Sequence, residues 1–227
     1  MVNDVPAVSC LTVTWQRLGM LTRAVECFRR QTLAEREMVI VYGADDRDTA
    51  RYVESLEDPS IRGVRVAKRY RLGWLRNIAV ENARGECVAV WDDDDWSAPN
   101  RLHAQLRAID RSGKAACVLS KVILHNSVTQ RSYLSHERTW EASLVARRKD
   151  LPSYDGSLSR FEDTPVVMAL EERGELALLK RPDLYVYVYH GTNTWQEDHF
   201  EKIIKQCVPL SDKKSTWTVT QLHGELT

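Results

Sequence analysis

The feature that constrains this chain most is a short apolar run, Glu86-Cys-Val-Ala-Val-Trp91, that passes without a break into four aspartates, Asp92 to Asp95. A run of that length between polar segments reads as a buried strand. Four adjacent carboxylates repel one another unless a cation or water neutralises them. In an extended segment alternate side chains point the same way, so Asp92 and Asp94 are expected to converge. Hard oxygen ligands at that spacing suit Mg²⁺ or Mn²⁺, ions that commonly bridge a diphosphate. The alternative is a solvated acidic turn. A calcium loop of the EF-hand type fits poorly: counting from Asp92, the glycine position holds Ser97 and the terminal glutamate position holds His103.

The residues before the aspartates alternate between two periodicities. Val8 to Val13 and Met38 to Tyr42 are short β-rich runs, each read as a buried strand. Between them Leu18, Leu21, Val25 and Phe28 fall on one face of a helix over 18–30. A polar turn, Gly43 to Asp48, leads to a helix over Thr49 to Leu56, and Gly63 to Val66 is a further short strand. Gly73 to Arg84 reads as a helix closed by Gly85 in the left-handed conformation. Strands alternating with helices predict an α/β chain with a parallel sheet covered by helices. In such sheets ligands bind outside the carboxyl ends of the strands, where the turn after Tyr42 and the aspartates after Trp91 would both sit.

The second half is less regular. Asn100 to Ile109 is an amphipathic helix opened by Pro99; Ala115 to His125 and Ser143 to Arg147 are strand candidates. Thr164 to Arg173 is a helix, Leu184 to Tyr189 alternates like a strand, and His199 to Cys207 is a helix followed by loop. There is no internal repeat and no low-complexity segment.

Composition narrows the class. The 227 residues carry 32 Lys+Arg against 32 Asp+Glu, which argues against a general polyanion binder. Five cysteines form no C-x-x-C pair, so reduced thiols in a cytoplasmic protein are expected. No signal peptide and no membrane span are read from the sequence. The segment Arg62, Arg65, Lys68, Arg69, Arg71 and Arg76 is basic, and a solvated face is the reading favoured over a contact with an anion. Trp74 reads as core. The phosphate-binding G-x-x-x-x-G-K-[ST] and G-x-G-x-x-G loops, the G-x-S-x-G elbow and H-E-x-x-H are all missing, which weighs against P-loop ATPases, nicotinamide dehydrogenases, α/β-hydrolases and zincins.

Leu72-Gly-Trp-Leu-Arg-Asn77, followed by Ala83 through Asp95 to Trp96, closely resembles glycosyltransferase family 2. The opening Val8 to Arg17, Arg30-Gln-Thr32 and Pro99-Asn-Arg-Leu102 resemble it too. The resemblance is strong over 7–110 and traceable to Trp195. It implies a GT-A fold, with a Rossmann-like, mostly parallel sheet flanked by helices. It further implies one domain, in which about 7–97 bind the nucleotide sugar, about 98–195 form the acceptor and catalytic half, and 196–227 are an extension.

Site roles follow from the same resemblance. Asp94, with Asp92 and Asp93, matches the metal and ribose-diphosphate motif. Arg76 stands where a basic residue often lies near the nucleotide, and Thr14 and Arg17 lie in the loop after the first strand. The family's Asp-Asp-Gly-Ser turn here reads Tyr42-Gly-Ala-Asp-Asp46, so Asp45 or Asp46 becomes the base contact. Phe161-Glu-Asp-Thr164 resembles the acidic acceptor-side motif, which assigns Asp163 as the base and Glu162 as its neighbour. Those acids also suit a plain cap on the helix that follows. His190 matches a late metal or diphosphate ligand, with a surface turn as the alternative, and Trp195 is placed on the acceptor side.

The expected activity is transfer of a sugar from a nucleoside-diphosphate sugar, a UDP-sugar by preference, to a soluble acceptor. Mn²⁺ or Mg²⁺ is the expected cofactor, and Asp163 the base for inversion. The acceptor is left open among a glycan, a peptide, a small molecule and a modified nucleobase. Two rivals remain: a non-catalytic nucleotide-sugar or carbohydrate binder of the same fold, and a metal-dependent nucleotidyltransferase.

Overall fold

The computed structural model describes residues 5–194 and 197–223. The chain runs β1 (Val8–Val13), α1 (Leu18–Arg29), β2 (Arg36–Gly43), α2 (Arg47–Ser55), β3 (Ile61–Val66), α3 (Leu72–Glu81), β4 (Cys87–Val90), β5 (Trp96–Ser97) and α4 (Arg101–Ser112). It continues through β6 (Ala116–Leu119), β7 (Ile123–Asn126), β8 (Arg131–Leu134), β9 (Trp140–Arg147), α5 (Thr164–Glu172), β10 (Leu176–Leu179), β11 (Tyr185–Tyr189), α6 (Glu197–Ile204), β12 (Val208–Pro209) and α7 (Asp212–His223).

Two sheets form. The larger has the order β10-β6-β9-β4-β1-β2-β3, and β4, β1, β2 and β3 all run parallel. β9 is the antiparallel member, between β4 and β6. Parallel strands need both faces covered, and β1 and β2 are accordingly buried almost end to end. Leu21, Val25 and Phe28 of α1 pack on one face with Met38 and Ile40, while Leu75 and Ala79 of α3 pack on the other with Val39 and Val41. The smaller sheet, β12-β8-β7-β11-β5, is built mainly from the second half.

The chain crosses between the sheets at the aspartates. β4 ends at Val90 in the larger sheet, and β5 begins at Trp96 in the smaller one, antiparallel to β11. Asp92 to Asp95 therefore span a seam held at both ends. Arg101, wholly buried, braces it by donating to the Val90 carbonyl and to Ser97 Oγ, with its guanidinium over the rings of Trp91 and Tyr185.

The structure corrects the sequence reading in several places. Gly85 does not close α3 with a left-handed turn: the helix ends at Glu81, and Gly85 is not among the positive-φ glycines. It is needed for close approach, since a Cβ there would lie 2.7 Å from the Ser9 amide nitrogen and 2.8 Å from the Cys87 carbonyl oxygen. The apolar stretch Ala115 to His125 is two strands in different sheets, β6 and β7. β5, β8, β10, β12 and α7 were not read from the sequence. β5 and β12, two residues each, are too short to carry a periodic signal. Trp74 is 48% exposed, not core, and lies against Tyr70 at the surface. All five cysteines are free, four of them buried. Among the described residues, no helix is long and apolar enough to cross a membrane.

Candidate active site

The four aspartates take different partners. Asp93 turns toward the β1 loop, accepting from Thr14 Oγ1 at 2.7 Å and from Arg17 Nη1 at 2.8 Å. Asp94 Oδ2 lies 3.1 Å from Arg17 Nη2 and 3.2 Å from His190 Nε2. Asp92 Oδ1 accepts from Arg76 Nη2 at 3.1 Å. Asp95 points into the smaller sheet, where the Tyr185 hydroxyl and the Val188 amide donate to it. It thus fastens the seam to β11 and is a structural residue.

The β1 loop is preset for these contacts. Gln16 holds a positive φ of 54°, and its amide donates to Asp46 Oδ2 at 2.5 Å. Asp46 also caps α2 by accepting from the Thr49 amide. Of the two residues expected to contact a base, Asp46 is therefore buried and committed to the backbone, whereas Asp45 is exposed. His190 follows β11 directly. The Thr192 amide and hydroxyl approach its Nδ1 at 3.4 and 2.9 Å. The roles of the ring nitrogens depend on the tautomer: with the proton on Nε2 the ring donates to Asp94, and with it on Nδ1 the Thr192 hydroxyl accepts it while Nε2 offers a lone pair beside Arg17 Nη2.

These partners sort the charges. Burial alone would raise Asp94, but the hydrogen bond from His190 and the charge of Arg17 outweigh it and hold its pKa below the usual range. Burial and the Asp94 charge push Asp93 up against the opposing pull of Arg17 and Thr14. Asp92 is also raised, by burial first, with Arg76 opposing.

The second half supplies the facing wall. Arg76 of α3 is 6% exposed, and its Nε donates to Glu162 Oε1 at 2.9 Å while Nη2 holds Asp92. One guanidinium thus ties the acidic turn before α5 to the aspartate seam. Of the basic segment noted above, Arg76 alone lines the cleft; Arg62 is spent on Glu37 and the Asn82 carbonyl. Phe161 adopts φ 61°, an uncommon backbone for a bulky residue, and remains 57% exposed.

Asp163 is the N-cap of α5, yet its side chain makes no capping hydrogen bond. It still stands at the helix N-terminus, where its charge suits the dipole as the plain-cap alternative expects, but without the hydrogen bond of a cap. Burial raises its pKa to about 6; Arg76 opposes the rise, and Glu162, Glu141 and Asp92 add to it. Arg17, Arg76, Asp92 to Asp95, Glu162 and Asp163 all line one cleft, together with Arg160 and Tyr187. Those last two were missed, because no spacing distinguishes a lone arginine or an alternating strand tyrosine. Trp195 lies outside the described residues.

A mostly parallel sheet with carboxylates at its carboxyl edge, faced by an acidic turn from the second half, is the GT-A arrangement. The chain belongs to glycosyltransferase family 2: the model for "Glycosyl transferase family 2" matches residues 9–167. It is 35% identical over 102 residues to the putative colanic acid biosynthesis glycosyl transferase WcaA of Escherichia coli, covering 43% of this chain and 36% of that one. It is 27% identical over 117 residues to the succinoglycan biosynthesis protein ExoO of Rhizobium meliloti, covering 52% and 34%. The chain thus spans about a third of the length of these curated relatives. Among solved structures it resembles Staphylococcus aureus TarS in complex with UDP-GlcNAc, with a TM-score of 0.69 at 16% identity over 95% of this chain and 71% of that one. It also resembles the mannosyltransferase PcManGT of Pyrobaculum calidifontis, in complex with GDP-Man and Mn²⁺, with a TM-score of 0.63 at 17% identity over 97% and 71%.

Proposed function

We propose that this chain transfers a sugar from a nucleoside-diphosphate sugar to an acceptor hydroxyl with inversion, and that Asp163 is the general base. The observation that carries this reading is the position of Asp163: it has no capping bond, its pKa is raised to about 6, and it lines the same cleft as the aspartate seam. A base of that pKa is largely ionised at neutral pH and still able to take a proton as the acceptor oxygen attacks. Glu162 is held by Arg76 and serves to position the turn.

A divalent ion fits the donor side. Asp94 Oδ2 and His190 Nε2, 3.2 Å apart, would hold it in the tautomer that carries the ring proton on Nδ1, toward the Thr192 hydroxyl. Among the described residues no cluster of three ligating side chains exists, so an ion there would take its other ligands from water and the phosphates of the substrate. Such an ion would supply charge to offset that on the departing diphosphate. Thr14 and Arg17 would border the ribose and diphosphate, and Asp45, exposed beyond β2, the base. A UDP-sugar remains the preferred donor; the neighbours bind UDP-GlcNAc in one case and GDP-Man in the other.

The test is a panel of nucleoside-diphosphate sugars with Mn²⁺ or Mg²⁺, read by calorimetric binding and by release of nucleoside diphosphate. Metal-dependent binding of one diphosphate, with its release abolished in Asp163→Asn, is expected. Binding without any turnover would favour the carbohydrate binder, and release of pyrophosphate the nucleotidyltransferase.

A further inference from the structure

A second cavity of about 150 Å³ adjoins the donor cleft and shares Ala142, Phe161, Asp163 and Tyr187 with it. Asp163 therefore stands on the wall between the two, and a group seated in the second cavity faces the base. Resting on the transferase reading above, we propose that this cavity is the acceptor subsite and that it takes a neutral pyranose ring, the hydroxyl-bearing end of a glycan.

Three observations carry the choice. One wall is aromatic: the exposed Phe161 and the half-buried Tyr187 line the cavity, backed by the buried Trp140, whose ring carries the Arg138 guanidinium at 4.9 Å. Such surfaces pack against the apolar face of a ring. The polar groups are of the kind that bind hydroxyls. Arg138 Nη2 donates to Glu141 Oε2 at 2.7 Å, and the buried Nε1–H of Trp140 has no hydrogen-bond partner. A buried donor left unpaired is costly. The charge balance disfavours an anionic group: Arg138 is already engaged by Glu141, while Asp163, with Glu162 beside it, presents negative charge toward any nucleophile.

In this arrangement the pyranose hydroxyl oxygen bonds to the anomeric carbon of the donor as the bond from that carbon to the diphosphate oxygen breaks. The bonding pair leaves with the nucleoside diphosphate, and the hydroxyl proton passes to Asp163.

Saturation-transfer NMR on the full chain tests this with methyl glucoside, galactoside, mannoside and N-acetylglucosaminide, with a Ser/Thr peptide as control. At least one pyranoside should show transfer, weakened at least tenfold in Glu141→Gln and in Arg138→Gln. Nucleoside diphosphate affinity, measured separately by calorimetry, should be unchanged in both. A pyranoside that binds both variants as it binds the parent would overturn the assignment. So would binding of the peptide alone, or of no probe at all, by protein that holds the nucleotide. Pyranoside binding that depends on Glu141, in a chain that takes up no nucleotide, would support the cavity and count against the transferase reading.

Discussion

Asp92 to Asp95 and Glu162-Asp163 are both runs of adjacent carboxylates, and the fold treats their members differently. In the first run each acid has its own partner: Arg76 for Asp92, Thr14 and Arg17 for Asp93, His190 and Arg17 for Asp94, Tyr185 for Asp95. In the second run Glu162 is paired and Asp163 is not capped, although it occupies a position where capping is ordinary. Paired carboxylates hold the two halves together. The one left over, in an acidic and partly buried setting, has the properties wanted in a base.

The sharpest way to break this contrast is to neutralise the two acids of the second run separately. Asp163→Asn should lower turnover by about 10²–10⁴-fold while nucleotide affinity stays near that of the parent. Glu162→Gln should keep measurable turnover, with its loss appearing partly in stability. Equal losses of turnover in the two variants would remove the distinction between them.

Next in size is the shared cation. Arg76→Met leaves Glu162 and Asp92 without their buried partner, a change that typically costs about 3–5 kcal/mol. For a chain of this length that lowers Tm by roughly 10 °C. A thermal melt within 2 °C or so of the parent would show that the link between the halves is not structural.

How much of this was legible in the sequence depends on range. β1, β2 and α1 are periodic over many residues and covered on both faces, so their pattern survives in one dimension. Asp92 to Asp95 announced a site because four adjacent carboxylates repel one another unless something neutralises them. What the sequence concealed was the pairing: nothing in Arg76 says that it reaches Glu162, 86 positions away, instead of solvent. Nor does anything separate the two aspartates at 45 and 46 until the Gln16 amide is seen to occupy one of them. Gly85 was misread for the same reason. A glycine four residues past a helix resembles a helix terminator, whereas its neighbour in space is Ser9 of β1. Gly85→Ala should therefore destabilise the fold by about 1–3 kcal/mol through overpacking, where a non-left-handed site with room would tolerate alanine. Urea melts distinguish the two.

The pH profile probes the same leftover acid more gently. With a pKa of about 6, Asp163 is ionised above that value and protonated below it. The base is active only when ionised, so kcat/KM should be level above about pH 7 and fall tenfold per pH unit well below 6. Glu141→Gln removes one of the negative charges that raise Asp163, so its limb should move to lower pH. A limb that stays in place would assign it to another group.

The smallest expected effect is on stability, and it runs opposite to the loss of activity. Burial lifts Asp163 from 3.8 to about 6 in the folded chain, so folding disfavours its ionised form. The ionised carboxylate therefore costs stability, increasingly as pH rises from about 4 to 6 and fully above that. Asparagine keeps the shape without the charge. At pH 7.5 Asp163→Asn should then raise Tm by roughly 2–6 °C, and the gain should shrink toward zero near pH 4, where the acid is protonated whether the chain is folded or not. Glu162→Gln should lower Tm at pH 7.5, because its carboxylate is bonded to Arg76. Opposite signs at two adjacent acids would follow from one being paired with Arg76 and the other being buried without an ion pair among the described residues. A fall in Tm for both would mean that Asp163 also stabilises the fold.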